Sequence, residues 1–471
     1  MESLTKRILA IVLIAVIGVG IGVGAWIFLG APPVKRFSTP GAPSGVASDH
    51  IIKIGVAGDT GEITGDGAYK GVHLAIKEIN EAGGIDINGS DYYFGYVMED
   101  TDEGNPNLVT SRGVAAAERL VYDRGIQFAI GGFRTEAVLA YQEVFMDNQI
   151  IFMSVGVATD IFTDNVRNFY DRYKYFFRAM PNNSTSLGGQ IFSYLSWQIA
   201  VLNYQYGATH NITKVGILSE DLTWTISTEN FLNDYLPYAG VSVPTGASIR
   251  YDITLSAADM NTHMQTFEDL GCDLVIPVIS AQGGIMMMQN YADSERPYII
   301  IGIDVQSQLD TFWDQSNGAC AYETVMQGCY RVNKTPTTIA FWDDFHDLWG
   351  HDPLYTAQGA YDATRAISWA IDGTNSLDAD TLIDKLETRT PAAVLATPSA
   401  FPGSVTGLGA IWPDDHELPS GYPFGYTLWV QWNSTGGKEV VPTAGHLYPD
   451  GSVVPMGTYS MAPWVHTLWS T

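Results

Sequence analysis

The chain has 471 residues, with 51 Asp and Glu against 24 Lys and Arg and a formal net charge of −27. That balance excludes a nucleic-acid partner, which needs a basic surface, and the length allows two or three lobes, each with its own core. At 46% hydrophobic and 16% charged, with no biased tract, the composition is that of a globular protein with a solvated acidic surface.

Lys6 and Arg7 precede 23 uncharged residues, "ILAIVLIAVIGVGIGVGAWIFLG" (8–30). A spanning helix needs about 20 apolar residues and a cleaved signal core about 7–15, so residues 1–30 are expected to be an uncleaved N-terminal transmembrane anchor. Lys35 and Arg36 on the far side blur the positive-inside rule. The few residues before the run nevertheless place everything after residue 37 outside the cell, at the surface of the cytoplasmic membrane. A Pro/Gly/Ser-rich linker (31–50) follows. Sequons at Asn88, Asn182, Asn183, Asn211, Asn333 and Asn433 are candidate glycosylation sites. Cys320 and Cys329 could close a small extracellular disulfide loop, while Cys272 in "GCDLVIPVIS" reads as a buried strand residue. Without a CxxC or a Cys/His grouping, no metal and no cofactor is expected.

Next, strands and helices alternate. "IIKIGVAG" reads as a strand, and the helix after it sets Tyr69, Val72, Ile76 and Ile79 on one face. "YYFGYVMED", "IQFAIGG" and "IIFMSVG" are further strands, separated by the helices "PNLVTSRGVAAAERLVYD" and "TEAVLAYQEVFMDN". The rhythm restarts with the long helix "SLGGQIFSYLSWQIAVLNYQYG" and the strands "KVGILSED", "VSVPTGASIRYD", "DLVIPVIS" and "YIIIGID". The helices "TIAFWDDFHDLWG" (Ile339, Trp342, Phe345 and Trp349 on one face), "AQGAYDATRAISWAI" and "DADTLIDKLET" follow, and the turn signals of "GLGAIWPDDHELPSGYPFGYTLWVQW" fit a hairpin. The expected fold class is therefore α/β, two doubly wound parallel-sheet lobes joined by a hinge. The first lobe is assigned to 51–185 plus 335–405, the second to 186–334 plus 406–471 with a β-rich tail.

The loop "GDTGEITGDGAYKG" lies where many folds hold a phosphate, yet it lacks both Gly-Lys-Ser/Thr and G-x-G-x-x-G and carries Asp59, Glu62 and Asp66. It is not a nucleotide site. Gly71, Leu74, Ala75, Ile79, Asn80, Ala82, Gly83, Gly84 and Ile85, followed by "VMEDTDEGNP", resemble instead the opening of type I periplasmic binding proteins of the leucine/isoleucine/valine-binding group, the solute-capturing subunits of ABC importers. The resemblance continues through most of residues 51–410.

Open α/β sheets bind ligands beyond the carboxyl ends of their strands, so the expected site is the cleft between the lobes. Ser154 stands in the strand-end loop "SVGVAT" (154–159) of that cleft; by resemblance, a ligand carboxylate would meet Thr135, Gly156, Ala158 and Thr159, an ammonium would meet Asp304, and Trp224 and Ser280 would contact the ligand from the second lobe. The first loop departs from the family pattern. There Glu62 and Asp66 could meet a cation and Arg134 a carboxylate, which points to a polar or zwitterionic ligand. Two rival readings stand beside these: Asp304 capping the next turn, and Arg134 pairing with Glu136 or Asp147.

The resemblance implies a non-enzymatic capture protein for an amino acid or amide-like ligand, with an ABC permease in the same membrane as partner. A ligand-sensing ectodomain and a surface-anchored hydrolase are the alternatives. No G-x-S-x-G, H-E-x-x-H or Ser-x-x-Lys motif favours the hydrolase.

Overall fold

The computed structural model describes residues 36–280, 282–442 and 457–471. The apolar run 8–30, expected to anchor the chain, lies outside the described residues. Among the described residues no helix is long and apolar enough to cross a membrane. Residues 38–471 form one compact unit, built from two α/β lobes.

The first lobe carries β1 (Ile51–Ala57), α1 (Asp66–Glu81), β2 (Ile85–Ile87), β3 (Ser90–Glu99), α2 (Thr110–Glu118), β4 (Phe128–Gly131), α3 (Thr135–Asp147), β5 (Ile151–Ser154), α4 (Ile161–Asn168), α5 (Tyr170–Tyr173) and β6 (Phe176–Arg178). Its sheet runs β2-β3-β1-β4-β5-β6, parallel except for β2 against β3. The central strands are buried on both faces, as parallel strands covered by helices must be.

The second lobe begins with α6 (Ser184–Tyr206) and continues through β7 (Val215–Glu220), α7 (Thr223–Tyr235), β8 (Ser248–Tyr251), α8 (Ala257–Asp269), β9 (Leu274–Ile279), α9 (Gly284–Asp293), β10 (Ile299–Asp304), α10 (Thr311–Gln315) and β11 (Thr324–Gln327). Four helices then return to the first lobe: α11 (Thr338–Trp349), α12 (Tyr355–Thr374), α13 (Ala379–Glu387) and α14 (Pro391–Ala396). Helix α12 packs on α1 so closely that a Cβ at Gly71 would lie 2.1 Å from the Ala357 carbonyl oxygen, so the motif glycine is a packing requirement. The hairpin β12 (Leu428–Trp432) and β13 (Lys438–Val440) completes the second sheet, β13-β12-β11-β10-β9-β7-β8, and α15 (Pro463–Trp469) closes the chain.

Several expectations are corrected. Residues 404–418 stay with the first lobe instead of leaving it at 406. Asp362 on α12 accepts bonds from Ser404, Val405 and Thr406, and Glu417 pairs with Arg178 of β6 at 2.8 Å. The return to the second sheet therefore comes between Leu418 and Leu428. There Lys334, buried, donates to the carbonyls of Gly328, Thr406 and Tyr426 and ties the crossing segments together. The expected hairpin falls late, with only "LWVQW" of the quoted stretch in a strand. The linker is not loose where it is described, because Ser38 exchanges two backbone bonds with Tyr96, at 2.8 and 2.9 Å.

On α1 the buried face is Ala68, Val72, Ala75 and Ile76, leaving Tyr69 and Ile79 half-buried, and on α11 Phe341 takes the inner place expected of Ile339. All three cysteines are free and buried, so the expected Cys320–Cys329 disulfide is absent. Extended strand β11 separates the two: four strand residues at about 3.3 Å each already exceed the Cα separation a disulfide spans. Asn182 is buried and donates to the Leu418 carbonyl, which closes it as a glycosylation site.

Candidate ligand site

The strand ends of both sheets meet at a cleft of ≈ 830 Å³, part of it open to solvent. Thr64, Glu103, Phe133, Arg134, Gly156 and Ala158 line it from the first lobe. Leu222, Trp224, Ile253, Ser280 and Val305 line it from the second, and Met180, Pro181 and Gln327 come from the crossing segments. The wall is mainly apolar, with its two charges, Glu103 and Arg134, side by side in the first lobe.

Of the residues singled out in the sequence, Arg134, Gly156, Ala158, Trp224 and Ser280 line the cleft. The others do not. Strand alternation accounts for Asp304: Ile303 and Val305 face the cleft, so Asp304 between them faces the opposite side. A Cβ added at Gly284 would lie 2.1 Å from its Oδ2, and its Oδ1 caps the following turn through the amides of Gln306 and Ser307. Burial, together with the neighbouring carboxylate of Glu220, pushes the Asp304 carboxyl up against the hydrogen bonds it accepts.

Thr135, Ser154 and Thr159 are buried beside the cleft without lining it. Glu62 is exposed, and Asp66 is spent on the Gly61 amide (2.8 Å) and on Lys70 (3.2 Å). Thr64 is the residue of that loop that reaches the cleft. A Cβ at Gly65 would lie 2.0 Å from the Asp59 carbonyl oxygen, so the loop folds back tightly on β1's end.

The expected polar pocket is thus an apolar one with a polar corner. Phe133, Met180, Leu222 and Tyr355 were not singled out, because apolar residues flanking strand ends look like core. Glu103 did leave a trace, as the acidic stretch "MEDTDEG" after a strand.

Two side chains organise this corner. Glu103, fully buried, accepts from the amides of Phe133 (3.1 Å) and Arg134 (3.0 Å) through Oε2 and from the Thr101 hydroxyl (2.9 Å) through Oε1. Burial pushes its carboxyl up to about 8, against the pull of those donors. Asp59 steadies the loop behind it, accepting from the amides of Glu103 (2.7 Å) and Gly104 (2.6 Å).

Arg134 donates through Nη1 to the Asn105 carbonyl (2.8 Å), and its Nε lies 3.6 Å from Glu136. The rival pairing with Glu136 therefore exists, and Arg134 is among the residues that line the cleft all the same. Arg178 supports the next stretch of the same wall. Its fork donates to the carbonyls of Val157 and Thr159 (2.7 Å), fixing the loop that presents Gly156 and Ala158. Across the cleft, Ser280 donates to Glu220 at 2.6 Å.

Two α/β lobes with a cleft at their strand ends define a two-lobed binding protein. The comparisons agree: the family model described as "Periplasmic binding protein" matches residues 52–425. The chain belongs to that family. It is 22% identical over 241 residues to the Leu/Ile/Val-binding protein homolog 8 of Brucella abortus (strain 2308), covering 51% of this chain and 54% of that protein. The chain thus spans about half the length of that relative.

Among solved structures, the ABC transporter substrate-binding protein of Desulfitobacterium hafniense superposes with a TM-score of 0.62 at 18% identity, over 83% of this chain and 100% of that one. The branched-chain amino acid transporter substrate-binding protein LivJ of Streptococcus pneumoniae, in complex with isoleucine, gives 0.62 at 18% identity over 83% and 99%. At these identities the likeness is one of fold.

Proposed function

We propose that this chain is a solute-capture subunit: it closes its two lobes on a small amino-acid-like ligand with an apolar body and hands it to an ABC permease. The observation that carries the reading is the cleft itself, apolar over most of its wall, with one carboxylate and one guanidinium in a single corner. An apolar cavity with a few fixed polar groups selects a ligand by shape and orients it by its head group. The apolar segment 8–30 serves as the anchor that holds the capture unit at the outer face of the cytoplasmic membrane. The LivJ complex with isoleucine and the Leu/Ile/Val-binding name of the Brucella relative support an amino acid as the cargo.

A thermal-shift panel of amino acids, amides, sugars and nucleosides tests the proposal. A ligand at about 100 times its Kd adds about 2.7 kcal/mol to the native state, a rise of a few degrees. Stabilisation by an amino acid with a branched or aromatic side chain is the expected result. A cooperative melt unmoved by every amino acid would overturn it.

A further inference from the structure

Immediately before α3 the backbone amides of Phe133 and Arg134 converge on one point in the cleft wall, an arrangement that attracts an anion. In this chain that place is taken. Glu103 Oε2 accepts from both amides, at 3.1 and 3.0 Å, and its carboxylate is shielded from solvent within the cleft wall. A carboxylate oxygen accepts two hydrogen bonds readily. Oε2 therefore has its full set, whereas Oε1 holds one donor, the Thr101 hydroxyl, and has room for another.

The surrounding polar atoms are poised for a ligand head group. Thr64 and Trp224 line the cleft and are more than nine-tenths buried, and the hydroxyl of one and the indole N–H of the other make no hydrogen bond. Arg134 commits Nη1 to Asn105, whereas its Nη2 makes no hydrogen bond among the described residues.

We propose that Glu103 sets the charge preference of the cleft: its side chain fills the Phe133 and Arg134 amides ahead of α3 that would otherwise receive a ligand carboxylate, so a ligand presents an amine there and directs any carboxylate to Arg134. The inference rests on the capture reading and adds the orientation of the head group. Burial alone favours the protonated group; an ammonium beside Glu103 favours the ionised carboxylate instead and gains a charge-assisted hydrogen bond in a poorly hydrated corner, releasing the proton as it binds. A ligand carboxylate at the same place brings no cation to ionise Glu103 and finds the Phe133 and Arg134 amides already taken. The ligand class is thus an apolar primary amine, with or without a carboxylate, and apolar monocarboxylates are rejected.

Calorimetric titration of the purified full chain with leucine, 3-methylbutylamine and 4-methylpentanoate, and with phenylalanine, phenethylamine and 3-phenylpropanoate, tests this. The expected result is that, in at least one series, the amino acid and the amine bind while the monocarboxylate binds at least tenfold more weakly. Glu103→Gln, which keeps an acceptor for the amides, should weaken the amine at least tenfold. Glu103→Ala, which frees them, should gain the monocarboxylate. Wild-type binding of a monocarboxylate as tight as that of its amino acid, or amine binding unchanged in Glu103→Gln, overturns the inference and leaves capture standing. Silence of the wild type toward all six compounds overturns capture of amino acids together with it.

Discussion

The Glu136 carboxylate, on α3 of the first lobe, accepts both the amide and the hydroxyl of Thr223 at the start of α7 in the second, at 2.9 and 2.7 Å. Burial alone would raise the Glu136 carboxyl, but the Thr223 hydroxyl and amide outweigh it and hold the group below its ordinary range. Arg134, two residues away, lies 3.6 Å from the same carboxylate. A side chain of the cleft and a bond that holds the lobes together therefore share one acidic group.

Glu136→Ala should favour the open form. Hydrogen bonds to a charged group contribute about 1.5–3 kcal/mol, so small-angle scattering of the ligand-free variant should show a larger radius of gyration, with an unchanged melting cooperativity. An envelope identical to the wild type would mean that other contacts hold the lobes together.

Trp224 lines the cleft and is 8% exposed. Trp224→Ala should lower affinity for the cognate amino acid by about 1–3 kcal/mol, the value of burying a large apolar contact. Calorimetry measures it, and an unaltered Kd would place the ligand away from this wall.

Arg178 and Glu417 form a buried ion pair at 2.8 Å, and burial pushes the glutamate up to about 7 despite its partner. Glu417→Ala leaves a buried guanidinium short of its counter-charge and should cost about 3–5 kcal/mol in denaturant unfolding. Replacing both partners with apolar residues should recover part of that loss. A cost under about 1 kcal/mol, typical of solvated pairs, would contradict the burial.

Glu103 gives a pH signature. Its folded carboxyl titrates near 8, whereas an unfolded glutamate titrates near about 4.3. The folded state therefore holds the extra proton between these values, so the group's stabilising contribution is complete below about pH 4 and is lost as pH rises toward 8. The amides of Arg134 and Phe133, the Asp59 carboxylate and the Thr101 hydroxyl act on it in the wild type and remain in Glu103→Gln. The melting temperature of Glu103→Gln relative to wild type should rise from pH 4.5 to 8. A flat difference would mean that Glu103 titrates at its ordinary value.

All three thiols are buried and free. A thiol reagent should count none in the native protein and three in denaturant, and a reductant should not shift the melt. Fewer than three under denaturing conditions would restore a disulfide.

Much of the fold was legible because repeated apolar runs and helical stripes carry their own period. β1, α1, β4, α3 and β7 fall where "IIKIGVAG", the motif helix and their successors place them. The candidate site was legible only in outline. Strand-end loops are visible in a sequence, but the side of the strand a residue faces at its last turn is not, and Asp304 falls one residue out of phase with Ile303 and Val305. The cleft's apolar wall was hidden for a different reason: Phe133, Met180 and Tyr355 cannot be told from core residues until the lobes face one another.

The sequence by itself determined the family, the two-lobe α/β order and the apolar segment 8–30, because local periodicity and a glycine motif at a close helix crossing are written in neighbouring residues. The tertiary structure alone decided that Glu103 fills the Phe133 and Arg134 amides ahead of α3, that Glu136 reaches Thr223 across the lobes, and that β11 keeps Cys320 from Cys329. Each of these depends on where distant segments point after packing, and burial and charge act over distances in space that the order of residues along a chain does not contain.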